Sequence, residues 1–113
     1  AQQDKVIEVI TRLPFDNPKD PFYQKIESLF SKQGKSTFDS YSLPMMVLRF
    51  KQAIGRAQRR PEQRSAILLM DNRPLVKSYG KLFIKEVSQE VTLRHAPFMQ
   101  IKEDIQEFLE KEC

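Results

Sequence analysis

The residues best suited to chemistry lie in one short stretch, "FKQAIGRAQRRPEQRSAILLMD", from Phe50 to Asp71. Between Arg49 and Arg64 stand six basic residues and a single acid, Glu62. Ser42 is a candidate N-cap with Pro44 in the first turn, so a helix is expected from Leu43 to about Arg60, stopped by Pro61. On a wheel of about 100° per residue, with Gln52 at zero, Arg56 falls at about 40° and Arg59 at about −20°. Arg49 and Arg60 flank them at about 60° and 80°. The opposite side carries Met46, Val47, Phe50, Ala53, Ile54 and Ala57. One face is therefore apolar, and the other presents an amide and a row of guanidinium groups on rigid backbone.

Such a row can do three kinds of work. It can pair with surface acids as a solvated face. It can neutralise nucleic-acid phosphates, each contact steepening the salt dependence. Or it can reach the γ-phosphate of a nucleotide, where a permanently charged planar fork stabilises the equatorial oxygens of the transition state. Spacing alone leaves all three open. Gly55, between Gln52 and Arg56, costs a helix interior about 1 kcal/mol against alanine. That cost suggests a close approach by a strand or a ligand.

These side chains need elements to hold them. "KVIEVITRLPF" places Val6, Ile7, Val9 and Ile10 in a β-branched run, read as a buried strand of the parallel kind ended by Pro14. Asp20 is placed to cap a helix with Pro21 at its first position, and Phe22, Ile26, Leu29 and Phe30 give that helix an apolar stripe ended at Gly34. Phe22 is expected in the core. "GKSTFDSY" reads as a polar connection. "SAILLMD" is a second buried strand, Ser65 to Met70, with Asp71 at its end. "RPLVKSYGKLFIKEV" is an amphipathic helix with Gly80 inside or breaking it, "EVTLRH" a short strand, and "MQIKEDIQEFLEKEC" a final amphipathic helix. Alternating strands and helices argue for an α/β layer structure with a mostly parallel sheet flanked by helices. Two strands are too few for a complete parallel sheet, so the chain is expected to be part of a larger domain.

Composition excludes several alternatives. The 113 residues suit one small domain, 40% hydrophobic and 30% charged, with a net charge of +4. That balance is weak support for an anionic partner, whereas the contrast between the basic middle and five acids after Met99 says more. No apolar run is long enough to span a membrane, and the first residues lack the pattern of a signal peptide. The single cysteine, Cys113, rules out a disulfide framework or a cysteine-held iron–sulfur cluster within this chain and fits a reducing, cytoplasmic setting. His95 is the only histidine and has no second ligand beside it, so no metal site is expected. Ser36, Ser40 and Ser42 have no histidine at triad spacing. Phe38 and Tyr41 are candidates for stacking on bases.

"QAIGRAQR", Gln52 to Arg59, matches the Q-x-x-G-R-x-x-R form of helicase motif VI in superfamily 2. Its flanks sharpen the match. "ITRLPFDNPKDPF", "YSLPMMVLRFKQAIGRAQR", "ILLMDNR" and "SYGKLF" resemble, in the same order and spacing, the DinG family of XPD-like helicases, and the likeness runs from Val6 to about Leu109. The resemblance implies a RecA-like motor domain of the P-loop NTPase type, with residues 1–113 as the C-terminal portion of the second of two such domains. It implies an ATP-dependent DNA helicase acting in repair or replication, with ATP and Mg²⁺ bound mainly by the first motor domain of the same protein and single-stranded DNA as partner. Carried over by position, Gln52, Gly55, Arg56 and Arg59 are nucleotide-binding, and Arg56 and Arg59 are the arginine fingers. Tyr41, Arg49 and Arg60 are candidate DNA contacts. Asp71 and Arg73 match the family's D-x-R, for which a structural or coupling role is expected.

Departures matter too. Gln58 stands where many DinG-like sequences have a basic residue. Gly34, Gly55 and Gly80 are the only glycines, and none begins a phosphate loop, so this chain alone is not expected to hydrolyse ATP. An open sheet edge predicts that the isolated chain covers it by dimerising. The alternative reading is a non-catalytic nucleic-acid-binding module that uses the basic helix 43–60.

Overall fold

The computed structural model describes residues 5–58 and 63–111. The β-branched run and the apolar run after Arg64 form the expected strands, β1 (Lys5–Ile10) and β2 (Arg64–Leu69). They pair in parallel, with Lys5 opposite Arg64 and Ile10 opposite Leu69. The Met70 N–H donates to the Ile10 carbonyl at 2.9 Å, carrying the ladder one residue further.

Helix α1 (Pro21–Lys32) starts as its sequence dictates. The Asp20 carboxylate accepts the Phe22 N–H at 2.8 Å, and Pro21 occupies the first turn, where its missing N–H costs nothing. Gly34, at φ 71°, follows the helix in the left-handed region that glycine tolerates. None of the α1 residues is buried. Phe22, expected in the core, is 62% exposed, because α1 stands clear of the apolar centre instead of packing into it.

Ser42 does not cap the next helix. A π-helical segment, Phe38–Ser42, runs directly into α2 (Leu43–Ala57), and Ser42 already has helical backbone angles. Its buried hydroxyl instead shares a hydrogen bond of 3.1 Å with the Tyr23 hydroxyl, tying the α2 entry to α1. The helix ends at Ala57, with Gln58 as C-cap. Beyond α2 the Gln58 side chain accepts from Ser65 Oγ at 2.6 Å and donates to the Gln63 carbonyl, fastening the end of the helix to the start of β2.

The amphipathic stretch after β2 is two helices, α3 (Arg73–Val76) and α4 (Gly80–Val87). The break has a steric cause: a Cβ on Gly80 would lie 1.9 Å from the Pro74 carbonyl oxygen, so only glycine lets the two helices approach. "EVTLRH" is not a strand. It is irregular backbone leading to α5 (Phe98–Glu110), with no neighbouring strand to pair with among the described residues.

The core lies between one face of the sheet and the apolar faces of α2 and α4. Met46 and Val87 are fully buried, and Phe50 meets Phe83 edge-on, with ring centroids 5.0 Å apart. Ile10, Ile67 and Leu69 pack against this cluster from the sheet, and Leu13 joins it from the loop after β1. The sheet's other face is less covered, Val9 being 51% exposed. Helix α5 docks at the opposite end of the strands. Lys5 Nζ donates to the Leu109 and Lys111 carbonyls at the end of α5, where cations complement the helix dipole. Lys5 and Arg64 both lie over the Phe108 ring.

One carboxylate joins the ends of both strands. Asp71, just past β2, accepts the Leu13 N–H at 2.9 Å from the segment after β1. It also accepts the Arg73 N–H at 3.0 Å and the Arg73 Nε–H at 2.8 Å, in an ion pair with the same guanidinium. The Arg73 hydrogen bonds, with the backbone N–H donors beside them, hold the Asp71 carboxyl far below the usual carboxylate range, against a smaller opposing effect of burial. A carboxylate with a depressed pKa stabilises the fold above its ordinary pKa, and that stabilisation fades as pH falls below it. Replacing Asp71→Ala is therefore expected to cost about 1.5–3 kcal/mol near neutral pH. Asp71→Asn is expected to flatten the loss of stability that the unmodified protein shows below about pH 4. Urea unfolding across pH checks both, and an unchanged acid limb in Asp71→Asn would show that this carboxylate is not the titrating group. Gly80→Ala is expected to destabilise by more than about 1 kcal/mol, because the strained approach to Pro74 has no room to relax cheaply. A midpoint equal to that of the unmodified protein would contradict the contact.

Candidate nucleotide-facing cleft

Helix α2 divides its residues as the wheel predicts. Leu43, Met46, Val47, Phe50, Ala53, Ile54 and Ala57 are buried. Gln52 and Arg56 are exposed, one turn apart. Together with Glu8, Ile10, Pro14, Arg49, Phe50 and Ala53 they line a cleft of about 320 Å³ between α2 and the β1 edge. That volume lies at the lower end of ligand-sized pockets.

The polar groups in this cleft differ in how they are spent. Arg49 is committed to the fold: it pairs with Asp16 at 3.1 Å and donates to the Pro14 carbonyl at 3.3 Å. The other Asp16 oxygen is buried without a hydrogen-bond partner among the described residues, so this carboxylate leans on Arg49 for its compensation. Arg49, a candidate DNA contact by position, thus holds the loop after β1. Gln52 and Arg56 make no hydrogen bond or ion pair with another described residue. Their donors point from a helix whose far side is locked in the core, which is the arrangement required to meet an anionic group without first breaking an internal contact.

The remaining predicted site residues fall as follows. Arg59 and Arg60 lie outside the described residues. An added Cβ on Gly55 would meet nothing within 4 Å, so no described residue makes the close approach its position suggests; the tight glycine is Gly80. Tyr41 is half-buried in the π-helical segment, tilted against Tyr23 and Phe30. Phe38 contacts Phe15 and Tyr79 at 5.8 and 5.4 Å between ring centroids. Arg73, besides gripping Asp71, lies over the Phe15 ring at 5.2 Å, so the D-x-R pair organises the loop that borders the cleft. Burial raises the Tyr79 hydroxyl above the usual phenol range.

His95 is exposed, and no cluster of three His, Cys, Asp or Glu side chains suited to a metal exists among the described residues. No helix there is long and apolar enough to cross a membrane. Sequence reasoning passed over Glu8, the one charged residue between Val6 and Ile10 on alternating strand positions. Alternation was the available signal, since it turns Glu8 to the same side as the core residue Ile10.

Comparison with known proteins identifies the family of the chain. The family described as helicase C-terminal domain matches residues 2–90. The chain is 40% identical over 76 residues to the 3'-5' exonuclease DinG of Bacillus subtilis, covering 67% of this chain and 8% of that protein. It is 33% identical over 76 residues to the ATP-dependent DNA helicase YoaA of Escherichia coli, covering 67% of this chain and 12% of the relative. A Staphylococcus aureus 3'-5' exonuclease DinG is 36% identical over 100 residues, covering 88% of this chain and 10% of its own length. The chain thus spans about a tenth of the length of these curated relatives. No solved structure matches it. With its parallel strands flanked by helices in the α/β manner of RecA-like domains, the chain belongs to the helicase C-terminal domain family, alongside DinG-like members.

Proposed function

We propose that this chain is the C-terminal portion of the second motor domain of a DinG-like ATP-dependent DNA helicase, and that its cleft faces ATP held between two motor domains. The observation that carries the reading is the state of Gln52 and Arg56. Both are exposed, adjacent and unpaired on a helix whose other face is core, while Arg49, Arg73 and Arg94 are each paired with a carboxylate. An arginine kept free on rigid backbone suits a charge that develops only in a transition state.

In this reading Gln52 orients the terminal phosphate, and Arg56, with Arg59, stabilises the equatorial oxygens. The phosphate loop and the Mg²⁺ ligands come from the first motor domain of the same protein, so hydrolysis needs both. Single-stranded DNA is the track, with Tyr41 and Arg60 as its contacts in this chain. The open edges of the two-stranded sheet are where the rest of the motor domain would add strands.

The test is Arg56→Ala in the full-length protein. ATP turnover stimulated by single-stranded DNA is expected to fall by about 10³-fold or more. DNA affinity, measured by fluorescence anisotropy at fixed salt, is expected to stay within a few-fold. Normal turnover would remove the catalytic assignment. A parallel loss of DNA affinity would favour a phosphate-binding patch instead.

A further inference from the structure

Glu8 is the unexplained group in this cleft. It sits on β1 between Val6 and Ile10, opposite Ile67 in the register. Ile10 and Ile67 both pack against the core cluster. Glu8 is thus a carboxylate on the α2 side of the sheet, half-buried, where an apolar residue would bury more area. It lines the cleft with Gln52 and Arg56 and forms no hydrogen bond or ion pair with a described residue. Arg49, in the same cleft, directs its Nη1 to Asp16 and the Pro14 carbonyl instead.

The cleft therefore offers three open groups of different chemistry: a guanidinium, an amide and a carboxylate. An inorganic phosphate would satisfy the first two and be repelled by the third. A ligand that joins an anionic end to hydroxyl donors would satisfy all three. A ribonucleoside phosphate has that combination, because ribose hydroxyls donate to carboxylates, and an acidic side chain reading a ribose hydroxyl is a recurrent device in nucleotide sites. Resting on the nucleotide-facing reading of this cleft, we propose that Glu8 is a nucleotide-binding residue that accepts hydrogen bonds from the ribose hydroxyls and so selects ribonucleotides over deoxyribonucleotides. Arg56 and Gln52 take the phosphate side of the same ligand.

The experiment is steady-state nucleotide hydrolysis by the full-length protein on single-stranded DNA, with ATP, 2′-deoxy-ATP and 3′-deoxy-ATP. The unmodified protein is expected to show a KM about tenfold lower for ATP than for at least one deoxy analogue, the size of one hydrogen bond to a charged group. Glu8→Ala, which leaves no acceptor, is expected to raise the KM for ATP to that of the analogue, to collapse the ratio towards one, and to leave kcat within about twofold, since a ribose contact is made equally in ground and transition states. A purely structural role would not erase discrimination between nucleotides. Equal KM values for all three nucleotides in the unmodified protein overturn the proposal without any variant being needed. So does a ratio unchanged in Glu8→Ala, or a KM raised equally for all three, which would mark Glu8 as the partner of a cation elsewhere in the protein. Arg56→Ala separates this failure from that of the wider reading: if Arg56→Ala abolishes turnover while Glu8→Ala leaves the ratio intact, only the ribose contact is lost.

Discussion

The Asp71 carboxylate is the constraint on which the rest of the arrangement depends. A parallel pair of strands has no hairpin joining its ends, and here a side chain adds to the backbone ladder at the two C-terminal ends. Asp71 does this by accepting the Leu13 N–H across a gap of 58 residues in sequence. A carboxylate that sheltered would be costly alone, and Arg73 offsets the cost with an ion pair and hydrogen bonds from its own side chain. The same guanidinium lies over Phe15, which contacts both Phe38 and Tyr79. One ion pair thereby ties the ends of both strands, the loop after β1 and the aromatic cluster beside the π-helical segment into a single unit. Arg49 secures the same loop from the α2 side through Asp16 and Pro14.

With the loop held from two sides, α2 has a fixed platform. Its buried residues interlock with Phe83, Val87 and the inward side of the sheet, so the helix has little freedom to rotate. Rotation is what would spoil the cleft, because Gln52 and Arg56 project from the exposed stripe of the same helix. The long arginine side chain stays adjustable while its backbone does not. Rigidity of the frame and freedom of the tip are separate properties, and α2 supplies them on opposite faces.

The parts of this organisation that sequence made legible were those governed by local periodicity. The β-branched run became β1 and the apolar run "SAILLM" β2, and the 3.6-residue pattern of α2 placed Gln52 and Arg56 outward and Phe50 and Ile54 inward. Asp20 and Pro21 announced α1 through capping chemistry that acts over two residues. What stayed illegible was set by contacts between distant residues. Ser42 has the residue type of a cap, yet the π-helical segment before it left no helix start to cap, and Tyr23 took its hydroxyl. Phe22 belongs to an apolar stripe of which Phe30 meets Tyr41 while Phe22 itself stays exposed. "EVTLRH" has strand-like composition, but a strand exists only by virtue of a partner. Gly55 and Gly80 look alike in sequence, and only the path of α3 past α4 makes Gly80 the one that cannot carry a side chain.

Net charge is a poor guide to this molecule for a related reason. The excess of +4 suggests a basic surface, yet many of its cations are occupied. Arg49, Arg73 and Arg94 are paired with Asp16, Asp71 and Asp104, Lys51 with Glu86, and Lys5 with the carbonyls that end α5. The acids of the tail are likewise partly used at home. Asp104 is held below its ordinary pKa first by Gln100 and then by Arg94. A paired guanidinium must give up its partner before it can bind a phosphate, and that exchange returns little free energy. An unpaired one exchanges only water. Arg12 and Arg56 have no ion pair with a described residue, and of these two only Arg56 shares a cleft with an open amide and an open carboxylate. The capacity to recognise a ligand therefore follows from which charges the fold leaves unspent, and here the fold spends Arg49 and Arg73 on holding the frame in which Arg56 stands.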